Sequence, residues 1–67
     1  MRIKAIIKHT DGESWEESYN TDDFDYYKPI NNLDDATELM QAIVDLFNRY
    51  LRPGERPREL VRVEHDN

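Results

Sequence analysis

Cysteine is absent from this chain, glycine and histidine occur twice each, and no apolar run approaches the length of a membrane span. The lack of cysteine excludes disulfides and thiolate zinc sites outright. Two glycines are too few for a phosphate-cradling loop or a dinucleotide-binding pattern. A spanning helix needs roughly 18 apolar residues, and the Met1–Ile7 stretch, broken by Lys4, has no signal-peptide core. Basic residues are scarce as well: nine Lys plus Arg face fifteen Asp plus Glu, for a net charge of -6. That balance opposes bulk attraction to phosphate backbones. These absences point to a soluble cytoplasmic protein without cofactor, whose natural partner is neither a membrane nor bulk nucleic acid.

Sixty-seven residues make a single domain, 1–67. A chain of this size hides only about 60% of the surface its unfolded form exposes, which leaves little material for a deep walled cleft. Hydrophobic residues reach 37% and charged residues 36%, and the seven Trp, Tyr and Phe side chains are enough to build a core. The charges are sorted along the chain. Residues 1–10 carry three basic groups and no acid, and residues 11–45 carry eleven acids and only Lys28 as a base. Residues 46–62 hold five arginines against Glu55 and Glu59.

The hydrophobic pattern predicts an α+β fold of ββαβ order. Arg2–His9 alternates as a half-buried strand, Thr10-Asp11-Gly12 supplies turn chemistry, and Ser14–Asn20 returns. A three-residue loop with Gly12 left-handed would set Ile7 opposite Trp15, Ala5 opposite Glu17 and Ile3 opposite Tyr19. A one-residue slip would turn these side chains to the other face, so the hydrophobic pattern selects this register. Asn32 is a suitable N-cap, and from Leu33 the residues Ala36, Leu39, Met40, Ile43, Val44, Phe47, Tyr50 and Leu51 recur at helical spacing until Pro53 and Gly54. Glu59–His65 then alternates, with Val61, Val63 and His65 expected beneath the helix and Leu60, Arg62 and Glu64 on the other side. Right-handed crossover gives a mainly antiparallel sheet of order 2-1-3, with one long helix on one face. Residues 22–30 read either as a helical turn from Thr21 or as a short edge strand at Tyr26–Ile30.

The hairpin, a further extended segment and a helix opening Asn32-Leu33-Asp34-Asp35-Ala36 resemble the topology of HicB-type antitoxin domains over residues 3–45. That resemblance implies a nucleic-acid-associated regulator. The chain departs from the family pattern in lacking a Gly-rich second strand and a Pro-Gly-Cys approach to the helix. Residues 46–67 supply no DNA-binding segment of that kind, so no functional residue is carried over. The segment Leu51–Leu60 has the general look of small phage or prophage proteins.

Several residue groups are candidates for chemistry. Asp22, Asp23, Phe24, Asp25, Tyr26 and Tyr27 combine acids with aromatics, as a docking strip for a basic partner would. With Asp34, Asp35 and Glu38 they could imitate a phosphate backbone; the plainer reading is a solvated face over a core-closing Phe24. Ile6 and Leu60 are expected on the uncovered sheet face, where a partner or a second copy of the chain would sit. Arg49, Arg52, Arg56, Arg58 and Arg62 surround the Pro-Gly bend and could grip an anion, or simply offset nearby acids. Glu17, expected on the helix side between Trp15 and Tyr19, is either a tuned acid or base, or a rim carboxylate that leans into water or is held by a tyrosine hydroxyl. His9 and His65 should end adjacent strands at opposite edges, too far apart to share a metal. No nucleophile–base pair is apparent. The expectation is a non-enzymatic interaction protein of bacterial or phage type, using its acidic-aromatic surface or its open sheet face. The alternative is an antitoxin-like regulator using the Arg-rich bend 49–62.

Overall fold

A computed structural model of the chain describes residues 1–24 and 28–66. Strand β1 (Arg2–His9) is central, flanked by β2 (Ser14–Asn20) and β3 (Arg58–His65), both antiparallel to it. The order β2-β1-β3 and the single helix α1 (Leu33–Arg49) are those the pattern predicts.

The hairpin register is also as expected, with Ile7 opposite Trp15, Ala5 opposite Glu17 and Ile3 opposite Tyr19. Its turn is made differently. Gly12 does not adopt positive φ; the Gly12 amide donates to the His9 carbonyl and the His9 amide donates to Glu13, closing Thr10-Asp11-Gly12 without a left-handed residue. Only Gly54, at φ 90°, uses glycine's conformational freedom, in the bend after α1.

Helix α1 starts where Asn32 caps it, the Asn32 side chain accepting from the Asp35 amide at 2.8 Å. Ala36 and Met40 pack on Ile3, Ala5 and Ile7 to form the buried centre, with Trp15, Tyr19, Ile30, Leu33, Ile43, Leu60 and Val63 around it. Before the helix, Thr21–Phe24 forms a single 3-10 turn, so the helical-turn reading holds there. Lys28–Ile30 is not a strand, and the Tyr26–Tyr27 part of the edge-strand alternative lies outside the described residues. The extended segment implied by the antitoxin resemblance thus opens instead as a tight turn.

The main departure is in β3. Ile6 pairs with Arg62 but Ile7 pairs with Leu60, so Val61 is an extra residue at a bulge. The alternation therefore changes phase. Leu60 packs against the core and Val61 is 46% exposed, the reverse of the expected facing. Burying the larger leucine outweighs keeping a regular ladder. The same shift carries Arg58 to the helix side of the sheet, where its guanidinium lies 3.8 Å from the Phe47 ring centre.

Candidate functional site

On the helix-covered face, Glu17 stands opposite Ala5, whose small side chain leaves room above it. Its carboxylate accepts from the Trp15 indole at 2.7 Å and from the Tyr19 hydroxyl, and Arg58 lies 3.9 Å away. Burial alone would push the Glu17 carboxyl up, but the Tyr19 hydroxyl, the Trp15 indole and Arg58 together hold it below the usual carboxylate value. Burial and the Glu17 carboxylate push the Tyr19 hydroxyl up to about 12. Arg58 sits between the Phe47 ring and the Trp15 ring, the latter 5.3 Å from its guanidinium carbon. An anchored, ionised carboxylate whose donors are its own neighbours is a structural clamp, and its lowered pKa suits it poorly to proton transfer near neutrality.

The two histidines are separated as expected: His9 lies opposite Arg58 and His65 opposite Ile3, at the two ends of the sheet. His9 stacks obliquely on Trp15, ring centres 4.8 Å apart, and His65 is exposed. Among the described residues, no three His, Cys, Asp or Glu side chains converge as metal ligands would.

The five arginines are dispersed. Arg56 crosses to the hairpin loop and pairs with Glu13 at 2.8 Å and Asp11 at 3.4 Å. Arg58 points to the helix side, and Arg62, opposite Ile6 on the other face, holds Glu64 at 3.1 Å. Arg49 and Arg52 are exposed at the end of α1. Local ion pairing absorbs Arg56, Arg58 and Arg62, so no single basic patch surrounds the bend.

In the acidic-aromatic strip, Asp22 and Asp23 are exposed on the 3-10 turn, and Phe24 packs edge-on against Tyr19 at 5.9 Å. Asp25, Tyr26 and Tyr27 lie outside the described residues. Lys28 lies between two helix acids, 2.7 Å from Glu38 and 3.9 Å from Asp35.

The uncovered sheet face is not apolar. Ile6 is only 7% exposed. By register its neighbours on that face are Lys4, Lys8, Glu16 and Arg62, long side chains whose stems can lie over it. Their heads are engaged in ion pairs, Lys4 with Glu16 at 3.8 Å and Lys8 with Glu59 at 3.4 Å. With Leu60 turned to the core, the expected Ile6/Leu60 docking patch does not exist.

Apart from Val61 on β3, the large apolar side chains exposed among the described residues are on α1. Leu46 is 57% exposed and Tyr50 67%, one turn apart. With Ile43, Phe47, Arg52 and Glu55 they line an open pocket of about 360 Å³ at the helix C-terminus. Glu55 is anchored there, accepting from the Arg52 amide at 2.8 Å. The signal was present in the sequence: Leu39, Leu46 and Tyr50 make a second apolar row beside the Ala36–Met40–Phe47 row that meets the sheet, and of that row Leu39 is buried while Leu46 and Tyr50 are not. A stripe so broad exceeds what one small sheet can cover.

Fold and site together define a small α+β scaffold that presents one flank of its helix. Comparison with protein families, with curated proteins and with solved structures finds no match. Among the described residues, no helix is long and apolar enough to cross a membrane.

Proposed function

We propose that this domain works by binding rather than by catalysis, and that it docks a protein surface on the flank of α1 around Leu46 and Tyr50. One observation carries the reading. Two large apolar side chains stand more than half exposed beside a pocket lined by Ile43 and Phe47, while ion pairs cover the helix-free face around Ile6 and, among the described residues, leave only Val61 as a partly exposed large apolar side chain there. Contiguous exposed apolar surface rimmed by charge is the usual signature of a contact site. The occupant this pocket fits is an apolar side chain presented by a folded or helical partner, with Arg52 at the rim to set polarity. Cytoplasmic action belongs to the same proposal, and the one feature that favours it is a chain without cysteine.

The test uses the wild-type chain and Leu46→Glu as parallel baits in a lysate of the cells that encode it, with nuclease added. The expected result is a protein retained by wild type, lost with Leu46→Glu and indifferent to nuclease. Identical retention on both baits, or retention that disappears with nuclease, would overturn the reading.

A further inference from the structure

We infer that the occupant of the α1 flank is a second copy of this chain, packed antiparallel about a two-fold axis that crosses the exposed flank at the level of Val44, whose own side chain is buried. This inference rests on the docking surface proposed above through Leu46, which both share; Tyr50 and the pocket lie beside the row, on its sheet side.

The argument is one of self-complementarity. On the flank, three- and four-residue steps bring Asp35, Glu38, Ala42, Leu46 and Arg49 into one row, with Arg52 just beyond the helix end. The row is acidic at its start, apolar in the middle and basic at its finish. Two such rows packed antiparallel about Val44 set Ala42 of each copy level with Leu46 of the other. Glu38 then falls within one residue step, about 1.5 Å along the axis, of Arg49 in the second copy. A parallel pairing would instead set acids against acids and arginines against arginines.

The groups are free to meet. The Glu38 side chain is 63% exposed even while it holds Lys28, and a carboxylate can accept from two cations. Arg49 is exposed on the last turn. Ala42 permits close approach of the helices, and the exposed Leu46 supplies the apolar contact that they would share. A two-fold contact of this kind uses the same patch on both copies and closes on itself, so it stops at a dimer. One helix flank offers less than the ~800 Å² per partner of a standard stable complex, which makes the dimer reversible, with a Kd on the order of 10–100 μM.

Sedimentation equilibrium on the whole chain, from about 1 μM to about 1 mM, reads the association directly. The wild-type mass is expected to rise from near that of one chain toward twice that value across this range. Leu46→Glu should weaken association by at least about tenfold. Arg49→Glu and Glu38→Arg should each weaken it several-fold, and the double variant should recover most of the loss, because the swap restores opposite charges across the axis. Far-UV circular dichroism checks that each variant folds; if Leu46→Glu does not, the charge swap carries the test alone. A wild-type chain that stays monomeric throughout, or a double variant no better than its parents, overturns the second-copy assignment. If the chain is monomeric yet Leu46→Glu still abolishes capture of another protein, the docking surface stands and only its occupant was wrong. Insensitivity of both association and capture to Leu46→Glu removes the surface itself.

Discussion

Glu17 faces the helix and remains ionised because its solvation is replaced by an indole N–H, a phenol O–H and a nearby guanidinium. The linkage has a definite sign. With its folded-state pKa below the unfolded value, Glu17 adds stability above pH of about 4.5, and that contribution fades as pH falls through the folded value. Tyr19, raised to about 12, adds stability fully present below its ordinary value of 10.0 and lost as pH climbs toward 12. Tyr19→Phe should therefore cost about 1 kcal/mol in denaturant unfolding at neutral pH. It should also shift the acid limb of the stability profile to higher pH, because one donor that keeps Glu17 ionised is gone. An unchanged acid limb would show that the hydroxyl contributes nothing to the carboxylate's state. The clamp thus stabilises the fold, while the exposed chemistry lies on α1.

At the scale of elements, β3 contains the feature that local pattern could not reveal. Alternation was legible over Glu59–His65, and so was the strand, but a single inserted residue changes which half faces the helix. The bulge at Val61 is set by the partner strand: Ile7 at 2% exposure needs a large apolar neighbour, and Leu60 supplies it. Leu60→Ala should therefore cost about 2 kcal/mol or more in thermal or denaturant unfolding, whereas Val61→Ala should stay within about 0.5 kcal/mol. The reverse order, with Val61→Ala the costlier change, would argue for a regular ladder. The bulge also sends Arg58 beneath α1, where Asn48 ties the strand to the helix, donating to the Arg58 carbonyl and accepting from its amide, both at 2.8 Å. Helix α1 was readable almost to its ends because the signals for it are local: Asn32 at the cap, the apolar spacing, and Pro53-Gly54 after it.

For the molecule as a whole, ion pairs on the uncovered face and around the hairpin loop lie at the surface, where each is worth little. Sodium chloride at about 1 M should accordingly change the unfolding free energy by less than about 1 kcal/mol. Ile6→Ala, in contrast, should cost about 1–3 kcal/mol although no helix covers that face, because Ile6 is almost fully enclosed. A large salt effect with a small Ile6 effect would show that the charged heads, and not the buried isoleucine beneath them, hold this face together. The broad apolar stripe of α1 has the opposite consequence: a three-stranded sheet is too narrow to cover it, so Leu46 and Tyr50 stay in the open.

The sequence by itself determined the strand and helix positions, the hairpin register and the N-cap, since each follows from residue spacing and chemistry within a few positions; the order of the sheet followed from the handedness of the crossover. It also placed Glu17 between Trp15 and Tyr19 on the helix side. Only the tertiary structure decided which side of β3 is buried, how the arginines are shared out among distant acids, and which apolar residues of α1 are left uncovered. Those outcomes depend on how much surface one element can offer another across the fold, a quantity that no local stretch of chain contains.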